Sequence, residues 1–155
     1  MQIQTQVLRR CLFPQLEDAD LAMERAPSNF RILIVNEDMR SADSLKRTLG
    51  DLGYASTFTA YSARRALEVA VEFVPSVALL DLELPDMTGY QLAHRFRAHR
   101  SKPLRRVPLL AVAELPRYGN AELTRAAGFI GCLAKPVPPA ELDAMLNRLQ
   151  SGARS

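Results

Sequence analysis

Residues 32–35 read Ile-Leu-Ile-Val, four apolar side chains in a row, and then meet Asn36, Glu37 and Asp38. An unbroken apolar run of strand length marks a strand covered on both faces, as in a parallel sheet with helices above and below. The pattern recurs: Val-Ala-Leu-Leu-Asp at 77–81 predicts a third strand, residues 107–113 a fourth and residues 129–134 a fifth, while residues 54–62 hold a short second strand and its turn. Between these runs the apolar positions change to a spacing of three and four. Ala42, Leu45, Leu49 and Leu52 predict a first helix ending near Gly53, and Ser62 is placed to cap a second bearing Ala66, Leu67, Ala70 and Val71, with Pro75 beyond its end. A loop at 82–90, punctuated by Pro85 and Gly89, precedes a helix carrying Leu92, Ala93 and Phe96. Residues 121–127 predict a short fourth helix stopped by Gly128, and Leu142, Met145, Leu146 and Leu149 mark a last one after residues 136–139. Strands that each lead into a helix, with no hairpin turn between them, predict an α/β fold: a doubly wound parallel sheet of five strands with helices on both faces.

A chain of 155 residues, 48% of them hydrophobic, has room for one domain with a proper core. That domain is expected over residues 30–150, with residues 1–29 as a mobile N-terminal extension and residues 151–155 as a tail. The net charge of +3 divides unevenly: three arginines against four acids make the extension −1 and leave +4 for the rest. Such an imbalance is too small to argue for nucleic acid. Cys11 and Cys132 are far apart and lack the spacing of a zinc site or a disulfide framework, which suits a reducing cytoplasm. No apolar run approaches the length of a signal peptide or a membrane span, so a soluble protein is expected.

Chemistry gathers at the carboxyl ends of the predicted strands, where open α/β sheets bind their ligands. Asp81 ends the third strand, and if strands one and three are neighbours it stands beside Asn36 and Glu37. Two adjacent carboxylates repel unless a cation lies between them, and an oxygen-rich site of this kind suits Mg²⁺. Lys135, ending the fifth strand before Pro136, adds a positive charge at the same edge. A nucleophilic carboxylate, a metal-binding acid and a lysine form a candidate phosphoryl-transfer site. Alternatively, Asp38 or Ser41 merely caps the following helix in a solvated loop.

The segments at 32–38, 77–92 and 132–137, Ile-Leu-Ile-Val-Asn-Glu-Asp, Val-Ala-Leu-Leu-Asp-Leu-Glu-Leu-Pro-Asp-Met-Thr-Gly-Tyr-Gln-Leu and Cys-Leu-Ala-Lys-Pro-Val, resemble the response-regulator receiver family of two-component signalling. The likeness runs from Phe30 to about Leu149. It implies a flavodoxin-like sheet in the strand order 2-1-3-4-5. It also implies that Asp81 accepts phosphate, that Glu37, Asp81 and the Glu83 carbonyl hold Mg²⁺, and that Lys135 contacts the phosphoryl group, its bond to Pro136 often being cis. A histidine kinase or a histidine phosphotransfer protein would be the phosphate donor. The resemblance fails at three positions. Asn36 stands where the family has an acid holding metal-bound water, so Mg²⁺ binding is expected to be weak. Ala113 replaces the Thr or Ser hydroxyl that meets the phosphoryl oxygen, and Cys132 replaces the aromatic ring that moves on activation.

The expected function is a stand-alone receiver acting through an unknown output protein. It would not be an enzyme beyond phosphoryl acceptance and its own dephosphorylation. The alternatives are a pseudo-receiver that docks partners without phosphate and an aspartate-based phosphatase, for which Glu83 would be the second carboxylate. The sequence leaves the oligomeric state open, a homodimer included. Residues 94–106 concentrate six Lys or Arg and two His. Without interleaved stacking aromatics they read as a solvated basic face rather than a nucleic-acid site.

Overall fold

The computed structural model describes residues 30–114 and 121–154, and the expected N-terminal extension, with Cys11, lies outside the described residues. In chain order the elements are β1 (Ile32–Val35), α1 (Met39–Asp51), β2 (Thr57–Ala60), α2 (Ala63–Phe73), β3 (Val77–Asp81), α3 (Gly89–Arg97), α4 (Lys102–Arg105), β4 (Leu109–Ala113), α5 (Ala121–Ala126), β5 (Phe129–Ala134) and α6 (Pro139–Arg154). The strands form one sheet in the order β2-β1-β3-β4-β5, all paired in parallel. This is the expected flavodoxin-like order.

Burial explains why the central strands were readable. Every residue of β1, β3 and β4 is buried, so their runs are apolar throughout, with Asp81 as the last residue of β3. The edge strands are mixed: Phe58 on β2 and Ile130 on β5 are 40% and 54% exposed. Two core layers flank the sheet. On one face Ile32, Ile34, Leu79, Leu110 and Leu133 pack with Leu45 and Leu49 of α1 and with Leu142 and Leu146 of α6. On the other, Leu33, Val35, Leu80 and Ala111 pack with Ala66 and Ala70 of α2, Leu92 and Phe96 of α3, and Leu104 of α4. The alternation along each strand sends odd and even positions to opposite helical layers.

Four local features differ from expectation. Val71 is 55% exposed, and α2 buries Ala63, Ala66, Val69 and Ala70 instead. This helix ends on Val74, which adopts φ 42°. That conformation is costly for a β-branched residue, and its end is secured by Arg31, whose Nε donates to the carbonyls of Phe73 and Val74 at 2.7 and 3.1 Å. Second, the last helix continues to Arg154, through most of the stretch expected as a tail. Third, α4 was not anticipated: it is a single turn in the basic segment, with Pro103 at its start.

The fourth difference concerns that segment as a whole, because part of it is internal scaffolding rather than a solvated face. Arg97 donates to the carbonyls of Arg105, Val107 and Gly128 at 2.9, 2.8 and 2.8 Å. Burial pushes its guanidinium below the ordinary arginine pKa. Arg105 donates in turn to the carbonyls of His99 and Arg100, both at 3.0 Å. One planar fork thus ties the end of α3 to the entrances of β4 and β5. Replacing Arg97 by Met should cost about 1–3 kcal/mol, since three carbonyls lose their donor, and Arg97→Lys should recover only part of it. Urea unfolding of the variants measures this directly.

Candidate functional site

Parallel pairing brings the carboxyl ends of the strands to one edge. Val35 lies opposite Leu80 and Asp81 opposite Val112, so Asn36 and Asp81 leave adjacent strands side by side. Asp81 is 5% exposed. One carboxylate oxygen accepts from the Lys135 ammonium at 2.6 Å and the other from the Glu83 backbone N–H at 3.0 Å. Lys135 is positioned by its own backbone, whose N–H donates to the Ala113 carbonyl at 2.9 Å. The Lys135–Pro136 peptide is cis.

The polar end of β1 is organised differently from a metal-binding acid pair. Asn36 is 4% exposed, and its Oδ1 accepts from the Asp38 N–H at 2.9 Å. Asp38 caps α1, accepting from the Arg40 N–H at 3.1 Å and the Ser41 hydroxyl at 2.7 Å. The Ser41 hydroxyl, the Arg40 N–H and the nearby Arg40 charge hold its carboxyl below the usual Asp range despite slight desolvation. The capping alternative therefore holds for Asp38, with Ser41 donating to the cap rather than forming it, while Glu37 is exposed on the same turn.

The oxygen set offered by Asp81, Glu37 and the Glu83 carbonyl is hard and carries two carboxylates, which fits Mg²⁺ in kind. It fits poorly in number. No group of three His, Cys, Asp or Glu close enough to hold a metal occurs among the described residues, because Asn36 supplies an amide and its oxygen already accepts from Asp38.

The loop after β3 holds the residues that sequence reading missed. The Gly89 N–H donates to the Leu82 carbonyl at 2.9 Å, folding the loop back on itself. A Cβ on Gly89 would come within 2.5 Å of the Asp81 carbonyl oxygen, so only glycine allows this approach. Thr88 and Gln91 form a reciprocal capping box at the start of α3. The Thr-x-x-Gln spacing was the available signal. Asp86 carries no comparable sequence mark, because its partners lie 23 and 22 residues away: its carboxylate accepts from the Ala63 and Arg64 N–H groups at 3.0 and 2.9 Å. The loop beyond Asp81 is thereby fastened to the N-terminus of α2.

At the two positions expected to form the switch, Ala113 is buried at the end of β4 opposite Ala134, and Cys132 is half-buried opposite Ala111, packed against the α2–α3 core layer. Burial pushes the Cys132 thiol up from its ordinary pKa, which keeps it protonated at neutral pH.

Comparison with known proteins gives the family of this fold. The response regulator receiver domain model matches residues 32–147. A putative response regulator from Chloroflexus aurantiacus superposes with a TM-score of 0.71 at 29% identity, over 79% of this chain and 98% of that one. The receiver domain of the sensor histidine kinase PA1611 from Pseudomonas aeruginosa, solved with a magnesium ion coordinated in its active-site cleft, gives 0.68 at 29% identity, over 77% and 95%. The virulence sensor protein BvgS of Bordetella bronchiseptica is 29% identical over 143 residues, which is 90% of this chain and 11% of BvgS. The chain belongs to the response regulator receiver domain family of two-component signalling. No helix among the described residues is long and apolar enough to cross a membrane.

Desolvation raises the Asp86 pKa, but the Ala63 and Arg64 N–H groups, with those of Asp86 and Met87, outweigh it and leave the carboxyl below its ordinary value. A depressed folded pKa contributes stability above the unfolded value of about 3.9, and this is lost as pH falls through the folded value. Asp86→Asn should therefore destabilise the protein only slightly at pH 7, because one of the two acceptor oxygens is lost but the group is exposed and screened by solvent. The gap to the parent should close below pH 4, as read by thermal unfolding across pH.

Proposed function

We propose that this receiver takes a phosphoryl group on Asp81 from a sensor histidine kinase or a histidine phosphotransfer protein, in the cytoplasm, and signals through protein contacts. The observation that carries the reading is the Asp81 carboxylate, placed at the sheet's carboxyl edge and held at 2.6 Å from the Lys135 ammonium. In the transfer, a carboxylate oxygen of Asp81 bonds to phosphorus as the bond from phosphorus to the donor nitrogen breaks, and that electron pair leaves with the imidazole. Lys135 then stands against the new acyl phosphate, where its charge offsets the phosphoryl oxygens. The residues that would hold Mg²⁺ are Asp81, Glu37 and the Glu83 carbonyl, with Asn36 contributing little. Bound Mg²⁺ supplies neutralisation of charge on the transferring group. Ala113 brings no hydroxyl to the phosphoryl oxygen and Cys132 no ring to follow it. Activation must accordingly be read elsewhere, or through smaller movements at β4 and β5.

Incubation with acetyl phosphate and Mg²⁺, followed by intact-mass analysis, should show one phosphate adduct in the parent and none in Asp81→Asn. An adduct that persists in Asp81→Asn refutes the assignment. The engagement of Asn36 Oδ1 by Asp38 favours a second reading, a docking module that works without phosphate. Failure of both acetyl phosphate and a phosphorylated histidine donor to label the parent would select it.

The metal assignment has its own test. Asn36→Asp should tighten Mg²⁺ binding by about tenfold, roughly 1.4 kcal/mol, by restoring a charge that faces the cation. Glu37→Ala should weaken binding more than Asn36→Ala does. Calorimetric titration with Mg²⁺ gives the order, and equal affinities in all four proteins would remove Glu37 and Asn36 from the site.

A further inference from the structure

A cavity of about 280 Å³ opens beside the proposed phosphoacceptor, just below the usual range for ligand pockets and so suited to a small molecule. It belongs to the α1–α6 face of the sheet: Leu45, Val112 and Val137 form its apolar wall, and all three pack in or against that core layer. Its polar lining is Asn36, Arg40, Ser41, Ser44, Thr48 and Lys135. Asp81, Glu37, Glu83 and Asp38 take no part in it. The cavity is thus lined by two cations and four neutral polar groups, with no carboxylate.

Two of these groups await a partner. Asn36 is 4% exposed, and with its Oδ1 accepting from Asp38 its orientation is fixed, yet its Nδ2 has no hydrogen-bond acceptor among the described residues. A buried donor left unmade is costly, and structures seldom keep one without use. The guanidinium of Arg40 likewise forms no ion pair among the described residues, and its charge reaches Asp38 only through space. An aspartate at position 36 would have repelled an anion from this cavity. The amide offers it a donor.

The geometry points to a binding site for a small organic anion, with a phosphate or carboxylate head between Arg40 and the Asn36 amide and a short apolar body against Leu45, Val112 and Val137. Lys135 lines the cavity and also pairs with Asp81, so occupancy competes for the same ammonium. Binding itself stands apart from the phosphoacceptor reading; its influence on Asp81 rests on that reading. By linkage, a ligand that draws Lys135 away from Asp81 must alter phosphoryl acceptance, and phosphorylation must alter ligand affinity.

The test is a titration of the full ¹⁵N-labelled chain, without Mg²⁺, by phenyl phosphate, benzoate and inorganic phosphate, with benzyl alcohol as the neutral analogue. Saturable amide shifts centred on Arg40, Ser41, Ser44 and Val137 are expected with phenyl phosphate or benzoate, weaker ones with inorganic phosphate and none with benzyl alcohol. The better of the first two probes distinguishes a phosphate from a carboxylate head. Arg40 is exposed, so Arg40→Gln should fold normally and weaken binding by about tenfold. Asn36→Asp should weaken it at least as much. Asp81→Asn should keep or improve binding, because it releases Lys135. The absence of saturable shifts up to about 10 mM would overturn the proposal. So would affinities unchanged in both Arg40→Gln and Asn36→Asp, or loss of binding in Asp81→Asn, because that change frees Lys135 and removes a repelling charge and cannot weaken an anion held beside it. A parent that binds the probes but is never phosphorylated would overturn the phosphoacceptor reading alone.

Discussion

Lys135 reaches Asp81 across the width of β4, because β3 and β5 each pair with that strand and never with one another. Two strand spacings amount to about 10 Å, close to what an extended lysine and an aspartate can bridge together. The contact of 2.6 Å therefore depends on a sheet register that brings Asp81 opposite Val112 and Ala134 opposite Ala113. It also depends on the Lys135 N–H, which donates to the Ala113 carbonyl and fixes where the side chain starts. A shift of one residue in either pairing would turn one partner to the opposite face. Stability does not by itself account for the pair, since desolvating a carboxylate side chain only 6% exposed offsets much of the Coulomb gain. Its place at the sheet's carboxyl edge is the feature that bears on function.

The rigidity of the site comes from both sides of Asp81. Upstream, β3 is buried along its whole length. Downstream, the chain is turned by the Gly89-to-Leu82 hydrogen bond, started into α3 by the Thr88–Gln91 capping box, and fastened to α2 by Asp86. Ser62 caps α2 by accepting from the Arg65 N–H, while Asp86 takes the Ala63 and Arg64 N–H groups. One helix terminus thus receives a local cap and a distant one. The distant cap ties the start of α2 to the loop that follows Asp81.

How much of this was legible in the sequence follows from the range of each interaction. Buried central strands announce themselves, because β1, β3 and β4 have no solvent face to alternate with. The order 2-1-3-4-5 came from the likeness of three segments to a family, and the sheet has that order; the grouping of Asp81, Asn36 and Lys135 came from reading the strand ends of a parallel sheet, and the structure places all three at that edge. Contacts across long stretches of chain leave no local trace. Nothing near Arg97 reveals that it turns inward to bind carbonyls of three other residues. Asp86 looks like an ordinary turn residue, and Arg31 like a strand flank. Val71 was misjudged for the opposite reason: the spacing of three and four fits two faces of a short alanine-rich helix, and packing chose the one bearing Val69.

The amide at Asn36 bears on both the metal and the anion proposals. Replacing an acid by an amide removes a negative charge, which lowers the attraction for a divalent cation and raises that for an anion by a comparable amount. The released oxygen is taken up by the Asp38 N–H, so the turn into α1 is kept and the change is not a simple deletion. What remains at the edge is a paired Lys135, an Arg40 with no ion pair among the described residues, and an amide donor, lining a cavity with no carboxylate among its described lining residues. Under the proposed phosphoryl transfer to Asp81, the fixed cation within reach is Lys135, while Arg40 and the Asn36 amide face the adjoining cavity. On that reading, neutralisation of phosphoryl charge would fall more on a side chain held by the fold and less on a diffusible ion.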